Sequence, residues 1–377
     1  MTDTLQPAVA TPFPSVDLRP TDWTVTHDFA FVFGGAEWVT RVLSEQLLPG
    51  STTKVLTGDP TISARLNAQG AVTQVLPEWV NKETYRLATP LYPRMISRLP
   101  RIEGNVLASS YAFAHHLRGT GRTVVYCHSP LRQAWTGSAA YQQQGPVVER
   151  AATRLLGANL RRRDSEAAAQ ADTYIATSRA VQRRLAAFYG RDDAPIIPPP
   201  VDDSIFYRTD TPREDFYLFV GRITEPYKQL GLLLRTFGYL PRKRLVVVGD
   251  GRDRARLEAR APGNVTFLGW QSPTEVAALY NRARALIFPS EDDFGLVPVE
   301  AMSCGLPVIA YGAGGALDTV EAGTTGLFFH QQTPVMVTKA ITEFEALDWD
   351  EELVIRRAAR FSRAAFLDRM REALADA

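Results

Sequence analysis

The chain has 377 residues, with 42 Lys and Arg against 41 Asp and Glu, and is 45% hydrophobic. That length exceeds what one ordinary core serves, so two domains are expected. The near-zero net charge gives no global attraction to nucleic acid or another polyanion, and the apolar fraction excludes a disordered chain.

The two cysteines, Cys127 and Cys304, lie in apolar surroundings without a pairing framework, which fits a reduced, cytoplasmic setting. No run approaches the roughly 18 apolar residues of a membrane-spanning helix. The start, "MTDTLQPAVATPFPSVDLRP", lacks a basic stretch followed by an apolar one, so residues 1–21 read as a flexible lead-in rather than a signal peptide.

In chain order, short β-rich runs alternate with helical patterns, the sequence form of a parallel sheet covered by helices on both faces. Strands are predicted at 23–28, 52–58, 71–76, 105–110, 123–129 and 173–178, with a long helix over 146–171 and a helix after 178 capped by Thr177-Ser178. "IIPPPVDDSIFY" then interrupts the pattern. Consecutive prolines break helix and sheet alike, so 198–207 is read as a linker between domains at 22–197 and 208–350. The second half repeats the alternation: "DFYLFVGR", helix 228–239, "RLVVVGDG", helix 252–261, "NVTFLGW", helix 273–283, "ARALIFPS", helix 297–304 and "PVIAYG". A charged helical segment, 351–377, is expected to pack back across the boundary. Two doubly wound α/β halves put ligands beyond the carboxyl ends of their strands, so chemistry is sought in the loops that follow them.

Four such loops carry unusual residues. In "HDFAFVFGGAEWVTRVL", Gly34-Gly35 opens a helix with Glu37 in its first turn. Glycines admit close backbone approach and a helix start favours an anion, whereas the plain alternative is a tight turn with Glu37 completing a cap. In "YCHSPLRQAW", His128 stands at a strand end. In "GRITEPYK", Arg222 and Lys228 flank a loop after an apolar strand, with Lys228 opening a helix; two cations near a helix start suit a diphosphate. In "SEDDFGLVPVEAMSCGLPVIAYGAGG", acids lie in the loop and Glu300 lies in the helix after Gly295, an arrangement suited to binding ribose and sugar hydroxyls. No His or Cys ligand lies in the loop with those acids, and no metal is expected there.

These stretches resemble the retaining GT-B glycosyltransferases of family 4, which have two Rossmann-like doubly wound domains facing across a cleft. "EDDFGLVPVEAMSCGLPVIAYGAGGALDTV" is similar to the family's E-x7-E segment, "GRITEPYK" to its phosphate-binding Arg and Lys, and "FGGAE" to its glycine loop. "VYCHSPLRQAW" and "AYGAGGALDTV" resemble a bacterial branch that moves mannose or related sugars from GDP-linked donors during polysaccharide assembly.

The resemblance implies that Arg222 and Lys228 neutralise the donor diphosphate, Glu300 holds the ribose and Asp292 contacts sugar hydroxyls. Backbone groups of Phe294, Gly295, Leu296 and Val297 would complete the cradle, while Gly34, Gly35 and His128 close it from the first domain. The first acid of the motif is Asp292 here, one methylene short, which leaves the assignment open among Glu291, Asp292 and Asp293.

It further implies metal-independent, front-face transfer of a hexose, mannose from GDP-mannose above all, to a saccharide or lipid-linked acceptor. The single D-x-D, Asp348 and Asp350, reads as a helix start. Arg86, Arg94, Arg98 and Arg101 among apolar residues, with the triplet Arg161, Arg162 and Arg163, suggest peripheral contact with an anionic membrane, against an ordinary solvated helix face. Alternatives are another GT-B enzyme, an epimerase or phosphorylase, and a sugar-nucleotide-binding protein without turnover.

Overall fold

The computed structural model describes residues 20–132, 134–135 and 147–376. The expected lead-in therefore falls outside the described residues, apart from its last two.

The first sheet contains β1 (Trp23–Ala30), β2 (Thr52–Gly58), β3 (Val72–Gln74), β4 (Asn105–Ser110), β5 (Thr123–Cys127) and β6 (Thr173–Ala176), in the order β3-β2-β1-β4-β5-β6. The second contains β7 (Tyr217–Val220), β8 (Leu245–Val248), β9 (Val265–Gly269), β10 (Ala285–Phe288), β11 (Val308–Tyr311) and β12 (Gly326–Phe329), in the order β12-β11-β10-β7-β8-β9. Every pairing is parallel, with Val25 opposite Leu107 and Ile287 opposite Ile309 near the centres. In each sheet the strand order reverses once, between β1 and β4 and between β7 and β10. Strands covered on both faces are buried almost throughout, which is why they read as continuous apolar runs.

The helices are α1 (Gly35–Val42), α2 (Pro60–Ala64), α3 (Tyr92–Ile96), α4 (Val147–Ala168), α5 (Arg179–Tyr189), α6 (Leu230–Gly238), α7 (Arg254–Glu258), α8 (Pro273–Arg282), α9 (Leu296–Ser303), α10 (Ala316–Thr319), α11 (Pro334–Glu345), α12 (Glu351–Ala358) and α13 (Arg363–Asp376). Their starts follow side-chain chemistry. Ser178 Oγ accepts the Val181 N–H at 3.1 Å ahead of α5, Ser272 and Glu275 form a capping box on α8, and Asp350 accepts the Glu352 and Leu353 N–H groups. Each such cap contributes on the order of 1 kcal/mol. Asp350 of the D-x-D is thus a helix cap.

The structure adds to and departs from the sequence reading, which held no helix at Pro60–Ala64, Tyr92–Ile96 or Pro334–Glu345. The helical segment expected over 351–377 is two helices separated by a 3-10 turn, Ala359–Phe361, and Ser362. That break takes α12 and α13 to different cores: Val354 and Ala358 pack with the second sheet, whereas Phe366, Met370 and Leu374 pack with Trp23, Val25 and Leu107 of the first. The return crossing runs beside the outgoing one, where Val201 N donates to Phe361 O at 2.9 Å. β12 escaped the sequence reading because it is a four-residue edge strand. Lys228 does not open a helix: α6 starts at Leu230, preceded by Gln229 in a left-handed conformation with φ +53.

Candidate active site

The carboxyl ends of the two sheets face each other, and the loops singled out from the sequence meet between them. On the second sheet, Lys228 folds back over the end of β7, with its Cδ 4.0 Å from where a Cβ on Gly221 would stand and its Nζ 5.9 Å from the Phe288 ring centre at the end of β10. It therefore lies at that sheet's reversal point, and its Nζ is 2.5 Å from Asp292 Oδ2. Arg222, on the same loop, is exposed and has no ion-pair or hydrogen-bond partner among the described residues.

β10 runs into the loop Ser290–Phe294 and then α9. Gly295 turns the chain with φ +81, where an added Cβ would come 2.9 Å from Phe288 Cζ, so a side chain is excluded on both counts. Leu296 and Val297 follow, with first-turn N–H groups that have no helical acceptor and point toward the cleft end of the helix. Gly314 and Gly315, after β11, press on this loop: a Cβ on Gly315 would fall 2.2 Å from Phe294 Cα, and Gly315 N donates to Asp292 O at 2.9 Å.

Glu300 lies one turn into α9, partly buried, and accepts the Tyr280 hydroxyl at 3.1 Å. It has no cationic partner among the described residues. Burial raises its pKa to about 7, opposed by the Tyr280 hydrogen bond and aided by the charge of Asp202. The carboxylate is therefore poised to gain hydrogen-bond donors from a ligand.

The first sheet contributes a chain of polar contacts. Glu37 Oε2 accepts the Gly34 N–H at 2.9 Å, and its Oε1 is 3.4 Å from His27 Nε2. His27 Nδ1 is 2.9 Å from Thr40 Oγ1, Thr40 donates to Ser109 Oγ at 2.8 Å, and Ser109 Oγ is 2.8 Å from His128 Nε2. Gly34 and His128, distant in sequence, are thereby tied into one network across β1, β4 and β5. Desolvation, reinforced by His27, lowers the His128 pKa to about 3, so it acts as a neutral hydrogen-bonding group. Asp28 fixes the neighbouring turn by accepting N–H groups of Tyr111, Ala112, Phe113 and Ala114 at 2.5 to 2.9 Å.

The two halves touch directly. A Cβ on Gly35 would lie 2.8 Å from Leu296 Cδ1, so α1 and α9 meet at their N-termini. Asp293 is bridged by the guanidinium groups of Arg132 and Arg184, and its carbonyl accepts the Ser178 hydroxyl at 2.5 Å. Arg184 also lies 3.5 Å from Glu291, and Arg179 pairs with Asp318 at 2.8 Å. The acidic trio thus divides by partner: Asp292 faces Lys228, Asp293 faces the first domain, and Glu291 is largely exposed. Sequence reasoning missed Arg132, Arg184, Ser178, Tyr280 and Gly315 as parts of this region. The glycine pair in "AYGAGG" and the arginine after "HSPL" were the available signals.

Residues 33–205 match the family profile described as Glycosyltransferase Family 4, and residues 214–345 match that described as Glycosyl transferases group 1. By family the chain is a GT4-like glycosyltransferase on the GT-B fold. A D-inositol 3-phosphate glycosyltransferase of Mycobacterium bovis, and one of Mycobacterium tuberculosis, are each 34% identical over 180 residues, covering 42% of this chain. The match spans only 37% of those relatives' length. Two solved structures share the fold: a sucrose-phosphate synthase from Thermosynechococcus elongatus (TM-score 0.69, 18% identity, 94% of this chain and 100% of that one) and Anabaena HepE in complex with UDP-glucose (TM-score 0.67, 18% identity, 94% and 100%).

Proposed function

We propose that the protein transfers a hexose from a nucleoside-diphosphate sugar to a saccharide or lipid-linked acceptor, with retention of anomeric configuration. The observation that supports this reading is Lys228 paired with Asp292 beside the start of α9 at the reversal point of the second sheet, with Gly35 against Leu296 from the first domain and with Arg222 and Glu300 on the adjoining loop and helix. Arg222 and Lys228 neutralise the diphosphate, the α9 N–H groups add partial positive charge, and Glu300 accepts ribose hydroxyls. Asp292 holds Lys228 toward the cleft and shares its remaining oxygen with sugar hydroxyls.

Asp292 and Asp293 are both engaged by cations, which argues against either as a covalent nucleophile. The departing diphosphate then takes the acceptor's proton while the new bond forms on the same face, and stabilisation of leaving-group charge is the main catalytic contribution. No protein step calls for a metal. GDP-mannose is the donor favoured by the sequence resemblance, and UDP-glucose, held by the HepE structure, is its competitor.

The test is release of nucleoside diphosphate from GDP-mannose, GDP-fucose, UDP-glucose, UDP-N-acetylglucosamine and dTDP-rhamnose over an acceptor panel, with EDTA present. An acceptor-dependent signal from one donor, with the product's one-bond C1–H1 coupling that of the donor's anomer, is expected. Release that requires added magnesium or manganese, or an inverted product, overturns the mechanism.

For a lipid-linked acceptor the relevant surface is the exposed strip of Trp79, Leu87 and Leu91, flanked by Arg94, Arg98 and Arg101, none of which has an ion-pair partner among the described residues. Arg161 and Arg162 are instead bound within the protein, to Ala134 O and Glu166, so the triplet contributes little to it. No helix among the described residues is long and apolar enough to cross a membrane. Cosedimentation with phosphatidylglycerol vesicles, lost on Arg94→Glu with Arg98→Glu, is expected; no binding to anionic vesicles ends this part of the proposal.

A further inference from the structure

Behind the wall of the cleft formed by the first domain, the turn after β4, the loop after β5 and helices α4 and α5 converge on one buried carboxylate, Asp164. We propose that His115, His116 and Asp164 form a binding site for a divalent transition metal with the chemistry of zinc.

The donor geometry carries the inference. His115 Nε2 lies 3.1 Å from Asp164 Oδ1, and His116 Nε2 donates a 3.4 Å hydrogen bond to the same oxygen, a bond the ion would replace. Two donors each about 2.0–2.1 Å from a tetrahedral ion stand roughly 3.3 Å apart, so these separations match edges of a zinc coordination shell. The ring atom His115 Nε2 is buried without a hydrogen-bond partner, because the carboxylate oxygen, although close, lies off the axis of its N–H. A metal placed on that axis would supply the missing partner.

The surroundings hold these donors in place. Asp164 Oδ2 accepts Trp135 Nε1–H and the Tyr189 hydroxyl, both at 2.7 Å, which fixes the carboxylate and leaves Oδ1 to face the imidazoles. His115 Nδ1 faces Ser110 Oγ at 3.3 Å, the outer-shell contact a ligating histidine ordinarily makes. None of the Asp164 partners among the described residues is a Lys or Arg, so the buried carboxylate has no fixed counter-charge. Two imidazoles and one carboxylate suit zinc and its neighbours, and not magnesium or calcium, which favour all-oxygen shells.

Three protein donors leave the fourth position to a water, and the ion would be structural in role, since it lies behind the cleft wall. It would pin the turn after β4, α4 and the end of α5 to the loop that carries His128 and Arg132.

The full chain, purified without a polyhistidine tag, is to be assayed for bound metal by mass spectrometry, stripped with dipicolinate and titrated with CoCl2. The expected result is about one zinc per chain, a visible cobalt absorption band characteristic of tetrahedral nitrogen and oxygen ligation, and a Tm that falls on stripping and recovers with ZnCl2. His116→Gln and Asp164→Asn should each abolish the cobalt band. Should either variant fail to fold, the wild-type cobalt and Tm measurements still decide. Wild-type protein without zinc, without a cobalt band and with a Tm indifferent to ZnCl2 overturns the site and leaves a hydrogen-bonded hub. Retention of the metal by a folded His116→Gln variant overturns it equally.

Discussion

Replacing Glu300 with glutamine should stabilise the protein at alkaline pH while weakening its hold on donor. The folded-state pKa of Glu300 is raised from 4.5 to about 7, chiefly by burial. Between those values the folded chain keeps a proton that the unfolded chain has released, so stability falls as pH rises through this window and levels off above it. The difference corresponds to about 3 kcal/mol at pH 8, at 1.36 kcal/mol per pH unit. The amide of the Glu300→Gln variant cannot ionise and escapes that loss, while keeping the shape and an acceptor for the Tyr280 hydroxyl. Urea denaturation of both proteins from pH 4 to pH 8.5 should give curves that are close at the acid end and diverge by a few kcal/mol at the alkaline end, with the variant the more stable. Donor affinity should move the other way, dropping on the order of 10-fold at pH 8, since a hydrogen bond to a charged acceptor contributes about 1.5–3 kcal/mol against about 0.5–1.5 for a neutral one. A stability gap that does not change with pH would refute the claim that burial destabilises the ionised carboxylate.

Three further outcomes follow from the cleft. Arg222→Ala should leave the melting temperature unchanged and lower turnover on the order of 10²- to 10³-fold, the usual loss for one charged donor to a leaving group, as measured by nucleoside diphosphate release. Gly35→Ala sets a methyl group 2.8 Å from Leu296 Cδ1, so turnover should fall with little loss of stability, and Leu296→Ala should restore part of it. Asp293→Ala leaves Arg132 and Arg184 facing each other without their shared carboxylate; hydrogen exchange should rise in 178–184 and 291–297 together, and a rise confined to one segment would count against a contact joining the halves.

What the sequence disclosed and what it hid divide along the distance over which each interaction acts. Parallel strands packed on both faces leave apolar runs, so β2 and β4 were legible to the residue, whereas the four-residue edge strand β12 left almost no signal. The helix limits at Lys228 and Ser362 turned on single backbone conformations that composition does not encode: a left-handed Gln229 and a 3-10 turn. Glu300, Asp292 and Gly295 could be picked out because a carboxylate or glycine stands out locally within one loop and helix. The bridge from Asp293 to Arg132 and Arg184 was not, since its members are 161 and 109 residues apart and meet only when two separate sheets face each other. For the same reason the network from Gly34 through Glu37, His27, Thr40 and Ser109 to His128 was invisible, its members being spread over β1, α1, β4 and the loop after β5.

The most direct test of a diphosphate site at Arg222 and Lys228 is calorimetric titration of GDP and UDP, in EDTA, into wild-type protein, Arg222→Ala and Lys228→Ala. One nucleotide is expected to bind the wild type without metal, and each substitution should weaken it on the order of 10-fold or more, as for loss of a charge-assisted contact to phosphate. Equal affinity in all three proteins, or binding only when magnesium or manganese is supplied, would contradict that assignment.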